Sequence, residues 1–394
     1  MSPGSLSEDR EHLDRARALA RAGWSRVQPN PMVGCVLVRD GRVVAEGHHA
    51  EFGGPHAERI ALRRAGAEAR GATAYVSLEP CAHRGKTPPC TEALIDAGVR
   101  RVVFGAPDPG TESGGGAEVL RGAGIEVTGP LLSPTEARRD NPAFFHNARE
   151  PLAYLETKLA VSLDGALAAA RGERTRLTGA VALRRVHELR AGFAGILVGS
   201  RTVEVDDPLL TVRMGEEPRR PPVRMVVDSR GSTPPDAALF RDVDRVPVVI
   251  FTTEAADAGR VSRLGESGAR VVTRPPGEGG GVDLPSVLRW CREEGIDSVL
   301  CEGGGRLATS LLRQELCRRL TLHVAPRILG PGAVPAFPVE DAREGRDLLE
   351  GWRIVRTEDN VGSDAIVVLE PVGDDSPEAG EGPEPGEGSL PKES

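Results

Sequence analysis

"GGPHAERIALRRAG", residues 53–66, sets an imidazole and a carboxylate two positions apart, His56-Ala57-Glu58, directly after two glycines and a proline. Gly53-Gly54-Pro55 ends whatever precedes it. Ile60, Ala61, Leu62 and Ala65 then fall at helical spacing, so His56 and Glu58 are expected in the first turn of a helix. The free N–H groups and positive dipole end of that helix face whatever lies before them. Alone, the stretch is equally a capped surface helix with an acidic first turn.

"LEPCAHRGKTPPC", residues 78–90, changes the balance. It supplies Cys81 after an apolar run and a proline, and Cys90 at the start of a second helix, where a thiolate is favoured. One imidazole and two thiolates suit Zn²⁺ and leave the fourth tetrahedral position to water. Glu58 is not needed as a ligand and is placed to move a proton from that water to a leaving amine. His-x-Glu with Pro-Cys-x-x-Cys marks zinc nucleobase deaminases. Here eight residues separate the cysteines, so the short-loop form is not met. The competing readings are a closed zinc site with His83 as fourth ligand, and no metal at all. Glu58 and Pro80-Cys81 together favour the open site.

The flanking sequence alternates. Leu13, Ala16, Leu19 and Ala20 predict a helix over 8–22, with Ser5 and Glu8 in capping-box register. "VGCVLVRDGRVVAEG" (33–47) is a hairpin turning at Asp40-Gly41. Strands follow at 72–78, 101–105 and 125–127, with helices from about Thr91 to Ala97 and near 117–122. The order α-β-β-α-β-α-β-α-β predicts a mixed sheet flanked by helices. Residues 130–151 read as a connection with one short helix, and the boundary is placed near Glu150. Beyond it, strands are predicted at 152–159, 194–199, 222–228, 246–252, 297–301, 319–325 and 365–370, with helices near 179–191, 284–294 and 305–313. This is a second α/β domain, and no internal repeat is visible.

A chain of 394 residues suits two such domains. No apolar run approaches a membrane span, and no secretory signal opens the chain. Six scattered cysteines are no disulfide framework and point to a reducing, cytoplasmic setting. The last stretch, "DDSPEAGEGPEPGEGSLPKES", holds seven acids against one Lys and so supplies −6 of the net charge of −8. It is expected to be disordered. The body is nearly neutral and has no basic stripe, which argues against a nucleic-acid substrate.

"QPNPMVGCVLV" (28–38), "PHAE" (55–58), "LEPCAHRGKTPPC" and "ALIDAGVRRVVFGAPDP" (93–109) together resemble the deaminase half of the bifunctional pyrimidine deaminase/reductase family of riboflavin biosynthesis. In that family the cysteine spacer is long, PC-x-H-x-G-x-TPPC, as it is here. The resemblance implies a cytidine-deaminase-like fold, zinc held by His56, Cys81 and Cys90, and Glu58 as proton shuttle. It implies a diaminopyrimidinone substrate carrying a ribosylamino 5'-phosphate, with Asn30 near it. Lys86, in the ligand loop, is either a phosphate contact or a solvated lysine.

"KLAVSLDGALA" (158–168), "VGSRTVEVDDPLLTVR" (198–213) and "CEGGGRLATSLL" (301–312) resemble the reductase half of the same family, which is similar to dihydrofolate reductase in fold. The two resemblances cover roughly residues 8–371. Gly303-Gly304-Gly305 follows an apolar strand and opens a helix, an arrangement that lets backbone N–H groups meet phosphate. Carried over by position, Ala160, Thr202, Asp206, Ser229 and Gly304, Gly305, Arg306, Leu307, Ala308, Thr309 and Ser310 would line an NADPH site. Arg174, Arg190, Leu210, Arg213 and Glu302 would hold the phosphorylated substrate, whose ribosyl C1' accepts hydride. The chain departs from the family where Arg174-Thr175-Arg176 stands for Ser-x-Trp, and where "DPGTESGGG" (108–116) lacks the Asn-Pro that follows "DP".

The expectation is therefore an α/β enzyme with a zinc deaminase domain (1–150), an NADPH-dependent reductase domain (151–371) and an acidic tail (372–394). It would act on a small phosphorylated pyrimidine, not on nucleic acid or membrane, and form a homo-oligomer. The alternatives are a deaminase alone with a degenerate second domain, motivated by Arg174 and Arg176, a nucleic-acid base deaminase, and a structural zinc module in which Glu58 has no role.

Overall fold

The computed structural model describes residues 5–83, 88–215, 217–339 and 347–373. Lys86 and the acidic stretch 374–394 lie outside the described residues.

The first half runs α1 (Leu6–Ala20), β1 (Gly34–Arg39), β2 (Arg42–His48), α2 (Ala57–Ala65), β3 (Thr73–Leu78), α3 (Cys90–Asp96), β4 (Arg101–Ala106), α4 (Gly116–Gly122) and β5 (Glu126–Thr128). The strands form one mixed sheet in the order β2-β1-β3-β4-β5. β1 is antiparallel to β2 and β3, and β3, β4 and β5 are parallel. The hairpin turns on Asp40 and Gly41, both at positive φ (50° and 74°), the backbone that Asp-Gly favours. The Ser5 hydroxyl accepts from the Glu8 amide and the Glu8 carboxylate from the Ser5 amide, so the capping box forms. On one face α2, α3 and α4 pack Ala57, Ala61, Leu94 and Leu120 against Cys35, Leu37, Ala74 and Val76. On the other, α1 covers Val36, Val38, Tyr75 and Val103. A Cβ at Gly47 would fall 2.4 Å from the Ala57 carbonyl, so β2 and α2 touch backbone to backbone.

Residues 130–151 hold two helices, not one: α5 (Pro134–Asp140) and α6 (Pro142–Asn147). Ser133 caps α5 through a second capping box, and Pro142 ends one helix and starts the next.

The second half continues β6 (Tyr154–Ser162), β7 (Ala166–Ala168), α7 (Ala180–Ala191), β8 (Gly195–Gly199), α8 (Ser200–Asp206), β9 (Val223–Val227), β10 (Val248–Thr252), α9 (Ala258–Glu266), β11 (Arg270–Thr273), α10 (Leu284–Glu293), β12 (Ser298–Cys301), α11 (Gly305–Arg313), β13 (Arg319–Ala325), β14 (Val334–Pro335), β15 (Trp352–Val361) and β16 (Asp364–Pro371). Nine strands form a sheet in the order β11-β10-β9-β8-β12-β6-β13-β16-β15, and β7 pairs with β14 apart from it. The sheet is parallel from β11 to β13; β16 is antiparallel to β13 and to β15. α10 and α11 cover one face over Leu155, Leu197, Met225 and Phe251. On the other, Val203, Leu239 and Leu264 cover Ile196, Val198, Val226 and Ile250. This is the helix-flanked, dihydrofolate-reductase-like sheet expected.

Sequence patterning missed α8, α9, β7, β11, β14 and β15. β15 is an edge strand exposed along most of its length, so it lacks the one-sided alternation that marks a strand.

The halves interlock. The Trp24 indole N–H donates to the Glu188 carbonyl at 2.8 Å, and a Cβ at Gly192 would fall 1.8 Å from that ring.

Candidate functional site

Three loops at one end of the first sheet meet in a cavity of ≈ 310 Å³. His56 is the N-cap of α2, one residue earlier than the sequence suggested. Cys81 leaves β3 through Glu79-Pro80, and Cys90 is the first residue of α3. Glu79 holds these loops together, accepting from the Asp108 amide at 3.2 Å and the Ala117 amide at 2.8 Å. The Thr91 amide and hydroxyl both donate to the Cys81 carbonyl at 3.3 Å.

The His56 Nδ1 atom lies 3.6 Å from Cys81 Sγ and 3.3 Å from Cys90 Sγ. All three donor atoms fall within 4.8 Å of one another. Tetrahedral zinc with ordinary Zn–N and Zn–S bonds sets such donors roughly 3.6 Å apart. The two thiols share one proton: the hydrogen bond between them pulls Cys81 down, helped by His56 and opposed by burial, and pushes Cys90 up. The Cys90 amide also donates to Cys81 Sγ at 3.4 Å. The donor set, spacing and thiolate stabilisation fit zinc. His83 lines the cavity but is not among the three clustered ligands, which disfavours the closed site.

Glu58 follows in the first turn of α2 and is 3% exposed. Burial pushes its carboxyl up, with His56 pulling the other way. Its Oε2 has no hydrogen-bond partner among the described residues. A buried carboxylate oxygen left unpaired is costly unless something else meets it. It lines the cavity beside the three ligands, where a water and a substrate amine would sit.

Asn30 lines the same cavity, its Nδ2 lying 3.2 Å from His49 Nε2. His49 Nδ1 is 3.1 Å from the Pro55 carbonyl, which can only accept. His49 therefore carries its proton on Nδ1 and accepts from the Asn30 amide. The Asn30 carbonyl oxygen is thereby turned away from His49. Asp108 and Ser113, in the loop that departs from the family pattern, also face the cavity and bond each other at 2.9 Å. Sequence reasoning missed His49 and these two.

The second site is assembled at the carboxyl ends of the parallel strands. Gly303 crosses the end of β8, where a Cβ would lie 2.9 Å from the Gly199 nitrogen. A Cβ at Gly305 would lie 2.5 Å from the Ala336 carbonyl. The Gly304 amide donates to Thr202 Oγ1 at 3.0 Å. Gly303 and Gly305 are therefore packed against backbone, while a Cβ at Gly304 would meet only Thr202 Oγ1, at 3.6 Å. The N-terminal turn of α11 opens there, the kind of helix start that suits the phosphate of a nucleotide cofactor. Arg306, Leu307, Thr309 and Ser310 continue that helix; Ala308 is fully buried. Ala160 stands in β6, Asp206 at the end of α8 and Ser229 just past β9.

Arg190 is 9% exposed and forks onto Glu302, with Nε–Oε1 at 2.5 Å and the second contact at 2.9 Å. Its remaining nitrogen donates to the Thr211 carbonyl at 3.1 Å. Arg190 is thus committed to Glu302 rather than standing open for a phosphate. Arg213 is exposed, and its guanidinium bonds only its neighbour Thr211 at 3.0 Å among the described residues. Leu210 puts its side chain in the core at positive φ (51°), so it offers backbone rather than side chain. Arg174 is exposed, and its charge opposes the burial that pushes the Asp206 carboxyl up, which sets it beside the cofactor residues.

Lys158, buried in β6 with Glu302 close by, was missed. The signal was a lysine in the middle of "YLETKLAVS" (154–162), a strand buried along nearly all its length.

Residues 6–106 match the family model of the cytidine and deoxycytidylate deaminase zinc-binding region, and residues 153–359 that of the RibD C-terminal domain. Riboflavin biosynthesis protein RibD of Escherichia coli is 40% identical over 338 residues, covering 83% of this chain and 90% of that protein. The same protein of Actinobacillus pleuropneumoniae is 39% identical over 323 residues, covering 82% and 85%. Among solved structures, Acinetobacter baumannii RibD superposes with a TM-score of 0.79 at 32% identity, covering 93% of this chain and 99% of that one. A Thermotoga maritima protein described as a diaminohydroxyphosphoribosylaminopyrimidine deaminase/5-amino-6-(5-phosphoribosylamino)uracil reductase gives 0.78 at 34% identity, with coverage of 93% and 99%.

Proposed function

The chain belongs to the RibD family of riboflavin-biosynthesis enzymes, and from that premise we propose which of its residues carry each reaction. Both a deaminase and a reductase half are present.

The first half, residues 1–150, deaminates a diaminopyrimidinone carrying a ribosylamino 5'-phosphate. His56, Cys81 and Cys90 would hold a zinc ion, which when bound would make a water acidic enough to attack at neutral pH. Glu58 takes up the proton lost on attack and returns it to the departing nitrogen, so that ammonia leaves rather than water. Asn30 accepts a hydrogen bond from the pyrimidine through its oxygen. The observation that carries this half is the convergence of the three donors beside the unpaired Glu58 oxygen.

The second half, residues 151–371, reduces the deaminated product. Gly304–Ser310, with Ala160, Thr202, Asp206 and Ser229, would hold NADPH, which when bound would supply the hydride. Arg213 meets the 5'-phosphate, assisted by Arg174. Glu302, locked by Arg190 and beside Lys158, faces the ribosyl carbons, and the Leu210 backbone closes the pocket. The protein works in the cytoplasm on a small molecule, as a homo-oligomer, without nucleic acid or membrane. No helix among the described residues is long and apolar enough to cross a membrane.

The test is mass analysis of products from the diaminopyrimidinone phosphate. Without NADPH the expected product has exchanged an amino group for an oxo group; with NADPH it has also gained two hydrogens. Deamination that stops there with NADPH present would instead show a deaminase with a silent second half.

A further inference from the structure

His187 lies in α7, three residues before Arg190 and therefore on the same helix face. It has 0% exposure. It therefore offers no surface of its own to a ligand. Its Nδ1 accepts from the Arg213 backbone N–H at 3.2 Å. A peptide N–H only donates, so Nδ1 holds the lone pair and Nε2 holds the proton. Burial first, then Arg190 and Arg213, push His187 down to about 4 against the opposing pull of Glu302 and the Thr211 backbone, which keeps the ring neutral and that lone pair available. Nε2 has no partner among the described residues. A core histidine that leaves one nitrogen unpaired is a poor choice for packing alone.

The segment it holds is unusual. Residues 207–213 join α8 to the substrate side of the sheet. Asp207 and Leu210 both lie at positive φ, 42° and 51°. Non-glycine residues adopt that backbone at a cost and only where their surroundings hold them. The Asp207 carboxylate accepts from the Ala238 amide at 2.6 Å, and the Leu210 side chain is buried. The Thr211 carbonyl is fixed by Arg190, and the Arg213 amide by His187. Beyond that last tie Arg213 extends an exposed side chain.

We propose that His187 is a positioning residue for reduction: by accepting the Arg213 N–H it fixes the peptide from which the Arg213 guanidinium reaches the substrate phosphate. The inference rests on the reading of Arg213 as the phosphate contact. A guanidinium–phosphate pair depends on direction as well as distance, so a loosened anchor weakens binding without touching the hydride step.

The experiment is steady-state reduction of the deaminated phosphorylated substrate with NADPH, using deamination by the first half to count folded protein. His187→Leu removes the acceptor and is expected to raise KM roughly tenfold, the scale of one lost hydrogen bond, with kcat little changed. His187→Asn places an oxygen where Nδ1 stood and is expected to restore KM to within about threefold of the parent; His187→Gln reaches the Nε2 position and is not. With the same substrate lacking its phosphate, parent and His187→Leu should share one KM. Arg213→Ala is the control. If it raises KM while His187→Leu and His187→Asn behave alike, or if His187→Leu lowers kcat and leaves KM unchanged, the positioning role is wrong. If Arg213→Ala itself leaves KM unchanged, the phosphate reading is wrong and the inference falls with it. Should His187→Leu fail to fold, the contrast between His187→Asn and His187→Gln decides the matter.

Discussion

The two sites solve opposite electrostatic problems. The deaminase pocket gathers His56, Cys81 and Cys90 so closely that they contact one another, beside a buried Glu58 Oε2 that bonds nothing among the described residues. The reductase pocket is already neutralised, with Arg190 forked onto Glu302 and Lys158 beside them. A site that awaits a dication leaves its anionic donors open. A site that recognises a large, charged cofactor and substrate needs stiff walls. There the buried Arg190 and Glu302 are paired with each other before the ligand arrives.

The largest effect should come from breaking the open site. Cys81→Ala or Cys90→Ala is expected to lower zinc to well below one per chain and to abolish deamination, while NADPH-dependent reduction continues. Metal analysis beside both assays checks this. His83→Ala should keep the metal. Loss of zinc in that variant would mean a closed, structural centre.

Breaking the neutralised site should act on stability first. Glu302→Gln leaves the Arg190 guanidinium buried beside a neutral amide, expected to cost the second half about 3 kcal/mol in denaturant unfolding. The parent should show a matching pH dependence. Burial pushes the Glu302 carboxyl up, but Arg190 and Lys158 outweigh it and hold it below its ordinary value. A depressed folded pKa contributes stability above the unfolded value, and that contribution is lost as pH falls through the folded one. The difference between parent and Glu302→Gln should thus be full at neutral pH and shrink on acidification. A difference that grows on acidification would contradict the pairing.

The smallest effect concerns Arg176, exposed where the family carries Trp. Its side chain is expected to cover the cofactor ring and to pair with the 2'-phosphate of NADPH. Arg176→Ala should weaken NADPH roughly threefold and NADH less, and raising the salt should narrow the gap. Equal affinities in parent and variant, with no cofactor bound in the micromolar range, would mean a second half without its chemistry.

The same contrast explains what the sequence disclosed. The clustering of His56, Cys81 and Cys90 was legible because they lie within residues 56–90, each at a helix start or just past a strand end with its own local signal. The Asp-Gly hairpin and the Ser5 capping box were legible for the same reason. Arg190 and Glu302 stand 112 positions apart and meet only through the sheet order β8-β12-β6, which no periodicity encodes. Family resemblance named them as substrate contacts; only the fold shows that they bind each other. α9 was passed over although Asp257 caps it, accepting from the Arg260 amide; it is nine residues long and buries only Leu264. Two helices at 134–147 were signalled by Ser133-Pro134 and Asn141-Pro142, start signals that the reading of one short helix passed over.

The central claim is that Glu58 moves protons at a metal it does not hold. The direct measurement is zinc content and both activities of Glu58→Gln, side by side. The account predicts zinc at the parental level, deamination reduced at least ~100-fold, and undiminished reduction of separately supplied deaminated substrate. Deamination near the parental rate, or loss of the metal, would contradict it.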